Sequence, residues 1–136
     1  MHNDAMQTLE DALDVLRADA AASYHRVLLE LEGLALDVQV GDERFDCRCM
    51  DARLRFDAVR RDMRKPQPDI TVRTDRHTIL ALIDGRLTMM NAVLARQLAV
   101  QGDALTLARL SRAVVAFSEG ALRSRGMRAL LQRYRA

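Results

Sequence analysis

Residues 69–117 constrain the fold of this 136-residue chain more than any other stretch. Ile70, Val72 and Thr74 alternate in period two and so share one face of a strand. Asp75 is placed to cap a helix whose stripe is Ile79, Leu80, Leu82 and Ile83, and Gly85 ends it. Thr88 can cap a short helix carrying Met89, Met90, Val93 and Leu94. Leu98 and Val100 form a further strand. Gly102-Asp103 then turns the chain and caps a long helix with the stripe Leu107, Leu110, Val114 and Phe117. Nearly every inward position is aliphatic, and almost none carries a group able to do bond chemistry. Such a segment encloses apolar volume without building a reactive centre, which favours carriage of something apolar.

Upstream, Met6, Leu9, Leu13, Leu16 and Ala20 recur at three- and four-residue steps, predicting an amphipathic N-terminal helical segment over 4–30. Residues 24–32 suit either a helix end or a strand start. After Gly33 the period changes to two: Leu34, Leu36, Val38 and Val40, then Phe45, Cys47 and Cys49, then Leu54 and Phe56. Short turns, Gly41-Asp42 among them, join these three strands into an antiparallel meander, apolar on one face and charged on the other. Residues 59–68 hold both prolines and read as a polar loop. Ser118 is placed to cap a final basic helix over 118–136, with Leu122, Met127, Leu130 and Leu131 on one side and Gly126 as an interruption. Five strands with one apolar face each, and amphipathic helices throughout, close most simply as an α+β fold. Its sheet is mainly antiparallel and the helices pack on one face. The whole chain, 1–136, reads as one domain around a core at 33–117.

A chain of this length buries about two thirds of the surface its unfolded form exposes. Net charge is +2, so the molecule as a whole is no polyanion binder, but the ends differ. Asp4, Glu10, Asp11, Asp14 and Asp19 gather at the N-terminus, and Arg123, Arg125, Arg128, Arg133 and Arg135 at the C-terminus. No apolar run reaches the roughly 18 residues of a membrane span, and no cationic, apolar leader opens the sequence. The ending Arg133-Tyr134-Arg135-Ala136 is not a peroxisomal address, so the expected compartment is the cytoplasm. Three Phe, two Tyr and no Trp stand against seven Met, a composition that makes a soft, adaptable core.

Reactive constellations are sparse. Cys47 and Cys49 share a strand face at a spacing that makes a disulfide difficult; with His2, His25 and His77 scattered, they read as buried free thiols and not as half of a zinc site. Ser23 with His25, and Asp75 with His77, lack a nucleophile elbow or an oxyanion loop, so no enzymatic activity is expected and no catalytic residue is assigned. Gly85-Arg86 and Gly102-Asp103 are single-glycine turns and not nucleotide loops. Arg86 remains a candidate for contact with a phosphate or lipid headgroup through its guanidinium fork. Arg60, Arg61, Arg64 and Lys65 form a basic loop without interleaved aromatics, which argues against nucleic acid. The basic terminal helix could lie transiently on an anionic membrane surface or dock on the domain, a second protomer or a partner enzyme.

Asp84-Gly85-Arg86-Leu87, Asn91-Ala92 and Leu98-Ala99-Val100-Gln101-Gly102-Asp103 together resemble the sterol carrier protein 2 family in order and spacing from residue 69 to about 117. The meander over 33–56 is compatible, so about four fifths of the chain is covered. The resemblance implies a five-stranded sheet with an apolar tunnel between sheet and helices. It also implies intracellular binding of fatty acyl chains, acyl-CoA, sterols or other isoprenoid lipids, and for some bacterial members an accessory role in quinone biosynthesis. On that basis Ile79, Ile83, Met89, Met90, Val93, Leu94, Leu107, Leu110, Val114 and Phe117 would line the tunnel, with no metal or redox cofactor implied. Many family members carry Pro and aromatic residues where this chain has Met89, Met90, Val93 and Leu94. That difference favours a flexible acyl or prenyl chain over a rigid sterol nucleus. Burial is worth about 0.8 kcal/mol per CH₂, so a twelve-carbon stretch gains roughly 9 kcal/mol before entropy costs.

Overall fold

A computed structural model of the protein describes residues 4–59 and 67–135; the basic loop at 60–65, most of the proline-bearing loop at 59–68, and His2 lie outside the described residues. The elements run α1 (Asp4–Asp19), α2 (Ala21–Leu31), β1 (Ala35–Val40), β2 (Glu43–Met50), β3 (Arg53–Ala58), β4 (Ile70–Thr74), α3 (Arg76–Ile83), α4 (Met89–Leu94), β5 (Leu98–Gln101), α5 (Ala104–Leu122) and α6 (Arg125–Arg135). The five strands form one sheet in the order β3-β2-β1-β4-β5. β1, β2 and β3 are the antiparallel meander, and β5 is antiparallel to β4. β4 lies parallel to β1, with Leu36 opposite Ile70 and Val38 opposite Val72, so the sheet is mixed. A parallel neighbour cannot be joined by a tight hairpin, and β4 follows β1 in the chain only after β2 and β3.

The turns follow from local chemistry. Gly41 opens the β1–β2 turn at φ 60°, the left-handed first position that a type II′ hairpin requires. The β2–β3 turn is harder to make, since Asp51 and Ala52 are both left-handed (φ 53° and 60°) without being glycine. The Glu32 carboxylate holds this turn, accepting from the Asp51 and Ala52 backbone N–H groups at 2.9 Å each. Asp75, Thr88 and Asp103 cap α3, α4 and α5 by accepting from the N–H groups of Thr78, Asn91 and Thr106.

Period two sorts the strands. Leu36, Val38, Val40, Phe45, Cys47, Cys49, Ile70, Val72 and Leu98 are buried on the face the helices cover. The other face carries Asp37, Asp46 and Asp57 in one cross-strand row beside Arg48 and Arg55 in the next. Like charges sit directly opposite one another, so the favourable pairs lie on the diagonals and in the Arg44–Asp37 contact, whose two bonds measure 2.6 and 3.0 Å.

Helix boundaries depart from the sequence pattern in three places. The N-terminal segment breaks at Ala20 (φ −143°, ψ 64°) into α1 and α2, and residues 24–31 are helical. Ser118 caps nothing: α5 runs through it to Leu122, and its hydroxyl donates to the Leu82 carbonyl at 3.0 Å. Ser124 starts α6 instead, accepting from Met127 N–H at 3.0 Å while donating to Asp19 at 2.5 Å. Gly126 does not interrupt α6 but belongs to its first turn. Asp19 accepts from the Gly126 N–H at 3.2 Å, and a Cβ there would lie 2.9 Å from the same carboxylate oxygen.

α6 is docked on the domain. Met127, Leu130 and Leu131 are buried in the same core as Leu16 of α1. Tyr134 reinforces the seam by donating to Asp11 at 2.9 Å, and Arg76 donates to the Tyr134 carbonyl at 2.6 Å. The apolar side of the basic helix is thereby used inside the molecule, the docking on the domain that its sequence allowed, while Arg125, Arg128, Ala129, Gln132, Arg133 and Arg135 are exposed.

A dry cavity across the sheet

Between the sheet and the helical layer lies a cavity of about 180 Å³. Its floor is Leu36, Val38, Phe45, Cys47, Leu54, Phe56, Val72, Leu98 and Val100, so every strand contributes. Strands spaced about 4.8 Å apart set the run from β3 to β5 at about 19 Å, so the wall extends across the whole sheet. The roof is Leu9 and Leu13 of α1, Val27 and Leu31 of α2, Ile79, Leu82 and Ile83 of α3, Met89 of α4, and Leu110, Ala113, Val114 and Phe117 of α5. Among the described residues no carboxylate, amide, hydroxyl or cationic side chain lines it. A wall of this kind cannot hold water by hydrogen bonds; engineered apolar cavities of about 150 Å³ stay dry and take up benzene.

Sparse aromatics help leave this volume open. Phe45 and Phe56 meet with ring centroids 6.1 Å apart on the floor, and the roof holds one ring, that of Phe117. Close approach of the helices keeps the volume beneath them and not between them. Gly120 of α5 lets Leu16 and Ser23 press against its backbone, where a Cβ would lie 2.6 and 2.7 Å from them. Gly102 likewise sits over Asp69, whose carbonyl oxygen would be 2.9 Å from a Cβ.

Of the residues expected to line the space, the structure brings Ile79, Ile83, Met89, Leu110, Val114 and Phe117 together on its roof. It places the others elsewhere. Leu107 packs against the core outside the cavity wall. Met90 and Leu94 are 72% and 75% exposed, and Val93 is 38% exposed. α4 has fewer than two turns, so Met89 and Ala92 occupy its inner face and Met90 and Leu94, four apart, occupy the outer one. The floor residues were absent from the expectation, although the period-two alternation that defines the apolar sheet face is the signal that would have supplied them.

Arg86 lies off the wall. Its Nε donates to Asp84 at 2.7 Å, and Asp84 also takes Arg135. Ser23 is buried beneath Gly120, His25 is exposed with its ring edge-on to Tyr24, and the Asp75 carboxylate is committed to the α3 cap with His77 exposed beside it. Neither pair reaches the cavity. Among the described residues no group of His, Cys, Asp or Glu is arranged to hold a metal. Cys47 and Cys49 are free and buried. Burial pushes the Cys47 thiol up to about 12, with Cys49 adding to it, and pushes Cys49 up to about 11, with Glu32 adding to it. Both thiols therefore stay protonated and unreactive at neutral pH.

A mixed five-stranded sheet roofed by helices over a dry cavity defines a lipid-binding α+β domain. The chain belongs to the SCP-2 sterol transfer family, whose model matches residues 13–115. Among solved structures it is similar to a UbiJ-SCP2 ubiquinone synthesis protein, at 15% identity and a TM-score of 0.61 over 88% of this chain and 95% of that one. It is also similar to the sterol carrier protein domain 2 of Helicoverpa armigera, at 14% identity and a TM-score of 0.56 over 78% and 81%. A third likeness is to the inverting sec-alkylsulfatase Pisa1 from Pseudomonas sp., at 16% identity and a TM-score of 0.51. It covers 62% of this chain but only 13% of that far longer one. No curated protein matches the chain in sequence. Among the described residues no helix is long and apolar enough to cross a membrane.

Proposed function

We propose that this protein is a non-catalytic lipid carrier that holds one fatty acyl or isoprenoid chain, sterol- or quinone-like, in the cavity between sheet and helices. The observation that carries this reading is the wall: it spans all five strands and, among the described residues, offers no polar side chain to water or to a reacting group. A flexible chain suits such a wall better than a fused ring system, because Met89 and the aliphatic roof can adjust. We set this carriage in the cytoplasm, where free thiols such as Cys47 and Cys49 persist. The contacts that orient a headgroup would come from outside the wall, with Arg86 as the candidate named by sequence.

A second reading is an accessory subunit in isoprenoid-quinone biosynthesis, where the same cavity would hold a prenyl tail. It is favoured by the likeness to a ubiquinone synthesis protein over nearly the whole of both chains. In that case a partner enzyme or a second copy must dock elsewhere than on the apolar faces of the terminal helices, which are used internally.

Native mass spectrometry of the protein purified from its own host, followed by lipid extraction, tests both. A stoichiometric fatty acid or phospholipid supports the general carrier, and a polyprenylated aromatic ring precursor supports the quinone role. An empty protein that also fails to take up a fluorescent fatty acid would overturn carriage altogether.

A further inference from the structure

α4 carries apolar side chains that packing does not explain. Only Met89 faces the cavity, while Met90 and Leu94 expose about three quarters of their surface to solvent. Charge around it has one sign: residues 85–102 contain Arg86 and Arg96 and no acidic side chain. Asp84, just before them, holds two arginines, Arg86 and Arg135, and so leaves the cluster with surplus positive charge.

The two ends of the α3–α4 segment show that Arg96 stands where local backbone preference favours glycine. α3 closes with Gly85 N–H donating to Leu82 and Arg86 N–H donating to Ala81; its left-handed residue is a glycine at φ 79°. α4 closes in the same way, Arg96 N–H donating to Val93 and Gln97 N–H to Ala92, but its left-handed residue is Arg96 at φ 61°. Glycine would be relaxed at that position, whereas arginine is strained there and puts an exposed cationic residue two positions after the exposed Leu94.

We propose that α4 docks on an anionic bilayer surface, with Met90 and Leu94 inserted among the acyl chains and Arg86 and Arg96 on the headgroup phosphates, and that this contact opens the roof to the cargo. The inference rests on the carrier reading, since a door needs a cargo. Apolar anchors flanked by arginines that outnumber Asp84, the carboxylate beside Arg86, match an interface that is greasy in depth and negative at its surface. Continuity supplies the coupling: Met89 and Met90 are adjacent in one short helix, so drawing Met90 outward moves Met89 away from the cavity.

The test is flotation of the full chain with vesicles of phosphatidylcholine, with and without phosphatidylglycerol, alongside uptake of a fluorescent fatty acid from solution and from donor vesicles. The expected result is flotation only with the anionic vesicles, weakened by salt. M90S/L94S should lose at least about tenfold in vesicle partitioning and in uptake from vesicles, while uptake from solution is kept. R96G supplies a readout that a purely structural role would not move in this direction: thermal stability rises while anionic flotation falls. Wild-type protein that takes up the probe from solution but does not float with anionic vesicles would overturn the door and leave the carrier standing. So would M90S/L94S floating as well as wild type, or changing only the oligomeric state, which would make α4 a contact between copies. Wild-type protein that floats but takes up no probe would instead overturn the carrier reading, and the door with it.

Discussion

Met89 and Met90 are neighbours in the chain and face opposite media, Met89 on the wall of a dry cavity and Met90 in solvent. Their sequence environment is the same and their chemistry identical. What separates them is the 100° step of a short helix held against the sheet by Ala92, which is fully buried. A single turn of helix thus carries one methionine on the cavity wall and the next in solvent, and the filling and opening of the cavity are open to direct test.

Ala113 lies on the cavity roof, so Ala113→Leu puts three carbons into existing space. Stability by thermal melt should hold or rise, while affinity for a fluorescent fatty acid falls at least about tenfold. A variant that binds the probe as well as wild type would show that the ligand lies elsewhere.

Gly120 is where α5 passes closest to α1 and α2. Gly120→Ala forces its methyl group against Leu16 and Ser23 and should cost about 1–3 kcal/mol in urea unfolding. Adding Ser23→Gly, which removes one of the two obstructing side chains, should recover part of the loss.

At the β2–β3 turn, Ala52 occupies a left-handed conformation that costs about 1–2 kcal/mol for a residue with a Cβ. Ala52→Gly removes that cost but loosens the unfolded chain. The net gain should be about 0.5–1 kcal/mol, read as a shift in denaturation midpoint at constant m-value.

Cys47 ionises near 9.0 when exposed and near 12 in the folded protein. Because its folded value is the higher, the unfolded state releases the proton first. The stability contribution is complete below pH 9 and is lost as pH rises from 9 towards 12, by up to about 1.4 kcal/mol per pH unit for the thiol. Cys47→Ala should flatten the fall in stability over that window, and a charged disulfide reagent at pH 8 should label neither thiol until denaturant is added. Rapid labelling of the native protein would contradict the burial that raises both values.

Much of the fold is legible in the residues because its causes are local. The alternation of Leu36, Val38 and Val40, the caps at Asp75, Thr88 and Asp103, and the glycines at 41 and 85 each depend on a few neighbours. Each element they mark is present. The site was legible in part. Ile79, Ile83, Leu110, Val114 and Phe117 stand on long stripes whose inner side periodicity defines. In α4, by contrast, four apolar residues crowd fewer than two turns, and nothing local says which of them face in. Ser118 and Ser124 are equally good caps by composition. Asp19, more than a hundred residues away, selects Ser124 by accepting its hydroxyl and the Gly126 N–H.

The order of elements and the apolar face of the sheet are written in the residues, because period and turn geometry act over a few positions. The parallel β1–β4 pairing, the docking of α6 and the space above the sheet arise only on folding. Those outcomes depend on how closely distant segments approach one another. Gly120 against Leu16 and Ser23, and Gly102 against Asp69, set that approach, and no local pattern encodes the gap that remains.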